Sequence, residues 1–167
     1  MATRRRYARL EMGPAADLVA QARRFEADGI DTAWAAQIDG TPFVPLAAVA
    51  AATSRMQLGS AIALAFTRSP METALTALDM DRLTGGRFKL GLGTGAKRLN
   101  ERWHGVSDYG RPAPHLRECL EIVRRLVEQG ARGEPVAYHG KYYDLELRGW
   151  RPSREPARAD KRSIERL

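Results

Sequence analysis

The residues of this chain with types and spacing suited to chemistry are mostly glycines. Gly91-Leu92-Gly93-Thr94-Gly95 closes an apolar run. Lacking Cβ atoms, its glycines let backbone N–H groups approach a phosphate or a planar ring. A dinucleotide fingerprint of the GxGxxG form needs glycine at position 96, where Ala96 stands. The ribose-binding acid expected about 20 residues on should end another strand, yet that window falls in a helical pattern. Two readings of the run stay open, a nicotinamide-binding Rossmann turn and a tight strand exit that needs no ligand. Gly59-Ser60-Ala61-Ile62 is a second candidate, with three small residues before a bulky one. It suits a bulge or an unusual peptide at a ligand face, and equally close packing against an alanine-rich helix.

Other reactive side chains are scattered. His104 falls in a long loop, His115 near a helix start and His139 in a hairpin turn, so each reads as structural or solvated. Glu118 and Glu121 lie three apart on one helix among arginines, which describes a solvated face. Asp79 and Asp81 cannot share a helix face, and no His/Asp/Glu spacing suggests a metal site. Tyr142, Tyr143 and Trp150 are explained by a substrate pocket or, more simply, by packing of a hairpin. The single cysteine, Cys119, excludes an internal disulfide and a cysteine-rich zinc site.

The elements that must position these residues alternate between strand and helix. Tyr7–Met12 is a short strand candidate. Asp17–Ala27 is a helix with Leu18, Ala22 and Phe25 on one face, stopped by Asp28-Gly29. Asp31–Ala36 is a second strand, and Thr41-Pro42 supplies a threonine cap and first-turn proline for a helix over Phe43–Ala52. The centre of the chain is a βαβ unit. It runs from Met56–Phe66 through a helix over Ser69–Leu83, with Ser69-Pro70-Met71-Glu72 as capping box and Met71, Leu75, Leu78 and Leu83 as apolar face. Gly85-Gly86 stops that helix before the strand Phe88–Leu92. Lys97–Pro114 reads as a long loop with one short helix around Asn100–Trp103. His115–Gln129 is an amphipathic helix with Leu116, Cys119, Leu120, Val123 and Val127 on one face, ended by Gly130. Val136–Leu147 alternates around His139-Gly140 as a hairpin with a two-residue turn. The count is four βα units plus a hairpin. That is a small four-stranded α/β domain or the front half of a barrel, whose eight units need about 200–250 residues.

Length and charge narrow the partners. The 167 residues carry a formal charge of +7, but the excess lies at the two ends. Residues 1–10 hold Arg4, Arg5, Arg6 and Arg9 with no acid, and residues 151–167 hold six basic and three acidic side chains. The segment 11–150 balances 17 basic against 17 acidic residues. A nucleic-acid binder concentrates positive charge on a folded face, so the ends read as solvated and nucleic acid is not an expected partner. Residues 1–6 form a basic arm, 7–150 the folded domain and 151–167 a disordered or exposed helical tail. No apolar run approaches the roughly 18 residues that span a bilayer, and the arginine-rich start lacks a signal peptide's apolar segment. No membrane contact and a cytoplasmic location are the resulting expectations.

The run "TAWAAQIDGTPFVPLAAVAAATSRMQLGSAIALAFTRSPMETALTALDMDRLTGGRFKLGLGTG" resembles the bacterial luciferase-like family of flavin- and deazaflavin-dependent oxidoreductases, most closely its coenzyme F-420-dependent branch. The resemblance covers about residues 7–150, with "PAPHLRECLEIVRRL" and "YHGKYYDL" similar to the family's fourth helix and following insertion. It implies the N-terminal half of a TIM (β/α)8 barrel carrying coenzyme F-420 (a deazaflavin) or FMN on the carboxyl ends of its strands. It implies a non-proline cis peptide at Ala61–Ile62 backing the ring. Thr94, Gly95 and Asn100 would contact the cofactor, with Gln37 facing the ring's reacting side.

The implied activity is that of a monooxygenase or dehydrogenase working on a small organic substrate. Some deazaflavin dehydrogenases have histidine where Gln37 stands and glutamate where Ala96 stands, for proton transfer; neither residue here titrates near neutrality. After Trp150 the family continues into a fifth strand, whereas this chain turns to Arg/Ala/Glu-rich sequence, so a truncated chain is expected. The alternatives are a catalytically inactive half-barrel remnant, self-associating through exposed sheet edges, and the Rossmann-type nicotinamide protein.

Overall fold

The computed structural model describes residues 4–38 and 40–150. They gather into two compact units, one of residues 4–63 and 79–92, the other of residues 64–78 and 93–150. The expected tail over 151–167 lies outside the described residues.

The first unit holds the parallel sheet. Strand β1 (Tyr7–Arg9) leads through helix α1 (Ala15–Ala27) to β2 (Thr32–Ala35). Helix α2 (Phe43–Ala50) then leads to β3 (Gln57–Ser60), followed after a break by β4 (Ala63–Leu64). Beyond helix α3 (Pro70–Thr84) come β5 (Phe88–Lys89) and β6 (Leu92–Gly93). The main sheet runs in the order β1-β2-β3-β5, every pair parallel. Such pairing demands a crossover between neighbours, which α1, α2 and α3 supply. Strand order follows chain order, as it does in a (β/α)8 barrel, here over four strands. A Rossmann sheet reverses its order at the ligand crevice. The described strands contain no reversal, so the nicotinamide alternative is set aside.

Small residues let the layers of this unit close up. Ala22, Ala33, Leu46, Val49 and Leu58 are fully buried, and the Phe43 and Phe88 rings meet at 6.3 Å. On β3, a Cβ at Gly59 would collide with the Trp34 ring, so this glycine is required by an indole on the neighbouring strand. Of the two readings of Gly59–Ile62, the close-packing one finds its partner at Gly59 in an indole rather than in an alanine-rich helix.

Two charged side chains tie loops to this core. The Arg87 guanidinium donates to the carbonyls of Ala50, Thr53, Met56 and Thr84 and to Thr53 Oγ1, at 2.7–3.2 Å. Glu26 accepts the main-chain N–H groups of Ser54, Arg55 and Met56 at 3.0, 2.6 and 2.8 Å. Burial works to raise the Glu26 carboxyl, but those donors outweigh it and hold the group below its ordinary value.

The second unit is built on α5 (Pro112–Glu128), with α4 (Lys97–Trp103) before it and the hairpin of β7 (Val136–His139) and β8 (Asp144–Leu147) after it. Helix α5 begins three residues before the expected start, because Pro112 falls in its first turn, where a missing N–H costs nothing. Its buried stripe is Cys119, Ile122, Val123, Leu126 and Val127, with Leu116 and Leu120 half-buried at the margin. Gly130 opens a short 3-10 turn just after α5, and Gly133, at φ 75, closes that turn in the left-handed region.

Further expectations are corrected. Leu83 is exposed, since it lies about 120° around the helix from Met71 at 100° per residue; Ala74, Ala77, Leu78 and Met80 carry the buried face instead. Ser69 does cap α3, its Oγ accepting Glu72 N–H at 3.0 Å. Pro42 immediately precedes α2. Pro42 itself has helical dihedrals (φ −70, ψ −22), and its carbonyl accepts Leu46 N–H. The expected loop over Lys97–Pro114 shrinks to residues 104–111 once α4 and the first turn of α5 are counted. The hairpin turn spans four residues: His139 is still paired with Asp144, and Gly140 N–H donates to the Tyr143 carbonyl.

Candidate functional site

In the first unit, the carboxyl ends of β2 and β3 carry three of the six expected site residues. The β2–β3 ladder continues past Ser60, with Ala61 N–H on the Ala35 carbonyl (2.8 Å) and Gln37 N–H on the Ile62 carbonyl (3.0 Å). Gln37, Ala61 and Ile62 are thereby brought together. Between these bonds the Ala61–Ile62 peptide is cis, at the expected position. Ile62 presents a side chain 38% exposed, and Gln37 is half-buried.

Ser60, singled out in the sequence only as a small residue, locks this end of the sheet. Its hydroxyl donates to the Gly91 carbonyl and accepts the Gly91 N–H, both at 2.9 Å, and Ala63 N–H donates to the same carbonyl at 2.8 Å. A Cβ on Gly91 would strike the Ser60 carbonyl. The first glycine of the run is therefore demanded by the protein's own backbone.

A polar cleft of about 480 Å³ in the same unit is lined by Arg5, Glu26, Asp31, Arg55 and Gln57. Those residues sit at the amino ends of β1, β2 and β3. The cleft thus lies at the opposite end of the strands from Gln37 and Ile62.

In the second unit, Thr94, Gly95 and Asn100 form one cluster. Asn100 is fully buried on α4, and its Nδ2 donates to the carbonyls of Thr94 (2.8 Å) and Ala96 (3.0 Å). Two carbonyls facing one end of the amide fix which atom is nitrogen. Its Oδ1 is then left buried without a donor among the described residues. Gly95 has φ +64, and a Cβ there would press on the Leu64 side chain and the Asn100 amide. Tyr109, 8% exposed, donates its hydroxyl to the Gly95 carbonyl at 2.8 Å.

The histidines separate. His104 is exposed, and His139 is an exposed partner of Asp144. His115 is instead a buried member of an aromatic stack, between Phe66 (centroids 3.9 Å, planes 10° apart) and Tyr142 (4.3 Å, 11°). Its ring nitrogens meet the Tyr109 carbonyl and the Tyr143 hydroxyl.

Glu118 is not on a solvated face. Its carboxylate accepts the N–H groups of Lys141, Tyr142 and Tyr143, anchoring the hairpin turn to α5. Burial pushes the Cys119 thiol up to about 11 and raises the Tyr143 phenol, so neither is a nucleophile or a base at neutral pH. Tyr142 and Tyr143 pack the hairpin, as the simpler reading had it. Among the described residues no cluster of His, Cys, Asp and Glu could hold a metal ion, and no helix is long and apolar enough to cross a membrane.

Residues 1–161 match the family described as luciferase-like monooxygenase. The chain belongs to that family. A Mycobacterium tuberculosis protein provisionally named a coenzyme F-420-dependent oxidoreductase is 36% identical over 155 residues, which cover 87% of this chain and 43% of the relative. The chain thus spans less than half the length of that curated relative. Two solved luciferase-like structures share the fold. One is the coenzyme F-420-dependent tetrahydromethanopterin reductase of Methanopyrus kandleri, at TM-score 0.70 and 22% identity, covering 88% of this chain and 46% of that one. The other is the oxygenating constituent of 3,6-diketocamphane monooxygenase from Pseudomonas putida in complex with FMN. It has TM-score 0.64 and 20% identity, covering 87% and 44%. At these identities the two structures speak for the fold alone.

Proposed function

We propose that this chain forms the cofactor-facing N-terminal part of a luciferase-like oxidoreductase. It uses coenzyme F-420 or FMN and acts on a small organic substrate. The family match over residues 1–161 carries the reading, and the provisional name of the 36% identical relative favours coenzyme F-420. Locally, the donor set fits such a ring. The buried Asn100 Oδ1 is an acceptor suited to a ring N–H, and Ile62 offers an apolar side chain for a flat face.

When bound, the cofactor supplies hydride transfer or oxygen activation. The chain's own residues bind and orient. By the resemblance, Ala61 and Ile62 would back the ring, Thr94, Gly95 and Asn100 would contact it, and Gln37 would face its reacting side. Gln37 and Ala96 carry no titratable proton, so any proton the reaction moves comes from substrate, water or another part of the protein. Fluorescence titration of the purified chain with coenzyme F-420 and with FMN tests the reading. Saturable binding of either, weakened by Asn100→Ala, supports it, and no binding of either withdraws the cofactor claim for this polypeptide. Should both bind weakly and equally, the catalytically inactive remnant becomes the better account.

A further inference from the structure

The His115 cluster lies wholly in the second unit and has no counterpart in the cofactor contacts assigned above. Its chemistry is fixed by one acceptor that cannot donate. His115 Nδ1 lies 3.2 Å from the Tyr109 carbonyl oxygen, and a carbonyl only accepts, so Nδ1 must carry a proton. Nε2 lies 3.0 Å from the Tyr143 hydroxyl, which also bonds the Cys119 thiol.

The ring cannot turn away from this arrangement, because Phe66 and Tyr142 sandwich both its faces. Tyr109 is gripped at both ends. Its carbonyl takes the imidazole N–H, its ring meets Phe66 edge-on at 5.5 Å, and its hydroxyl holds the Gly95 carbonyl. Gly95 in turn packs on Leu64 and on the amide of Asn100.

We propose that His115 is a positioning residue: with a proton on Nδ1, it sets Tyr109, and through the Tyr109 hydroxyl it sets the Gly95 carbonyl beside Asn100. This rests on the assignment of Gly95 and Asn100 to the cofactor. The structure of the relay, however, can be tested without any cofactor. A packing role would ask only for a flat ring of the right size; a positioning role asks for a donor at one ring position.

Nitrogen NMR of 15N-histidine-labelled native chain reads the tautomer directly. The proton is expected on Nδ1 of His115, and a proton on Nε2 alone overturns the proposal. Tyr109→Phe keeps the ring and removes only the hydroxyl. It should shift the Gly95 and Ala96 amide resonances and weaken cofactor binding about 3- to 10-fold, the worth of one hydrogen bond. His115→Asn keeps an N–H donor at the Nδ1 position, whereas His115→Gln offers polar atoms only near Nε2. Asn should therefore restore the native Gly95 and Ala96 resonances and Gln should not. Equal spectra for the two, or a Tyr109→Phe variant indistinguishable from native, would sink the relay.

If the native chain binds neither coenzyme F-420 nor FMN while the tautomer and amide shifts behave as described, the cofactor assignment fails and the relay stands. If the cofactor binds and the amides do not move, the reverse holds. Tyr109→Phe and the native tautomer carry the test whether or not the His115 variants fold.

Discussion

The two units are held together by different means. In the first, parallel strands and alanine-rich helices close on Ala33, Leu46 and Leu58, and charged groups act at the margins: Arg87 and Glu26 satisfy main-chain atoms of loops. In the second, polar groups sit inside. His115 and Asn100 are buried, and the carboxylate of Glu118 organises the hairpin turn. A unit made of ladders and apolar area is expected to lose stability as a whole. A unit made of a few specific polar bonds should lose parts, the hairpin first.

The largest effect is expected from Gly91→Ala, whose methyl group meets the Ser60 carbonyl rather than a flexible side chain. It should destabilise the first unit by about 3 kcal/mol or more, read by urea unfolding. Arg87→Ala comes next, at about 3 kcal/mol, because it strands four carbonyls and a hydroxyl at once. Arg87→Lys should recover little, since an ammonium cannot reproduce the planar fork.

Glu118→Ala should cost about 2 kcal/mol, with a different signature. Amide exchange should quicken over residues 136–147 while the sheet of the first unit stays protected. If Glu118→Ala instead lowered protection in β2 and β3 as much as Arg87→Ala does, the contrast between the units would be wrong.

The smallest effect concerns pH. Glu26 is held below its ordinary value in the folded chain. Its contribution is therefore complete above the unfolded carboxyl pKa, about 4.3, and is lost as pH falls through the lower folded value. Glu26→Gln should flatten acid unfolding below about pH 4 and leave stability near neutrality lower by about 1 kcal/mol. A variant whose acid limb matches that of the native chain would contradict this.

Much of the first unit was legible because its rules are periodic. The positions of β1, β2 and β3 and the Gly85-Gly86 stop all follow from pattern and backbone preference. Its hidden parts are pairings across long stretches of chain, such as Ser60 with Gly91 or Arg87 with Met56, where neither residue announces its partner. The second unit was less legible for a related reason. His115 falls on the same helical stripe as Cys119 and Ile122, but nothing in the sequence shows Phe66 and Tyr142 closing on its ring. Glu118 looks like a surface residue until the hairpin turn returns over it. The resemblance supplied what periodicity could not, including the position of the cis peptide at Ala61–Ile62. Asn100 was named through that resemblance, yet nothing in its neighbours foretold a fully buried amide with an orphan oxygen.

β1 occupies one margin of the sheet and has a single strand neighbour among those described. It is three residues long, and Arg4, Arg5, Arg6 and Arg9 on and before it are exposed or half-exposed. Short, cationic margins discourage copies from stacking strand to strand. Their protection is electrostatic and so yields to counterions. Concentrated solutions of this chain should therefore turn cloudy as sodium chloride is added and clear again on dilution into low salt, the inverse of a protein that salts in.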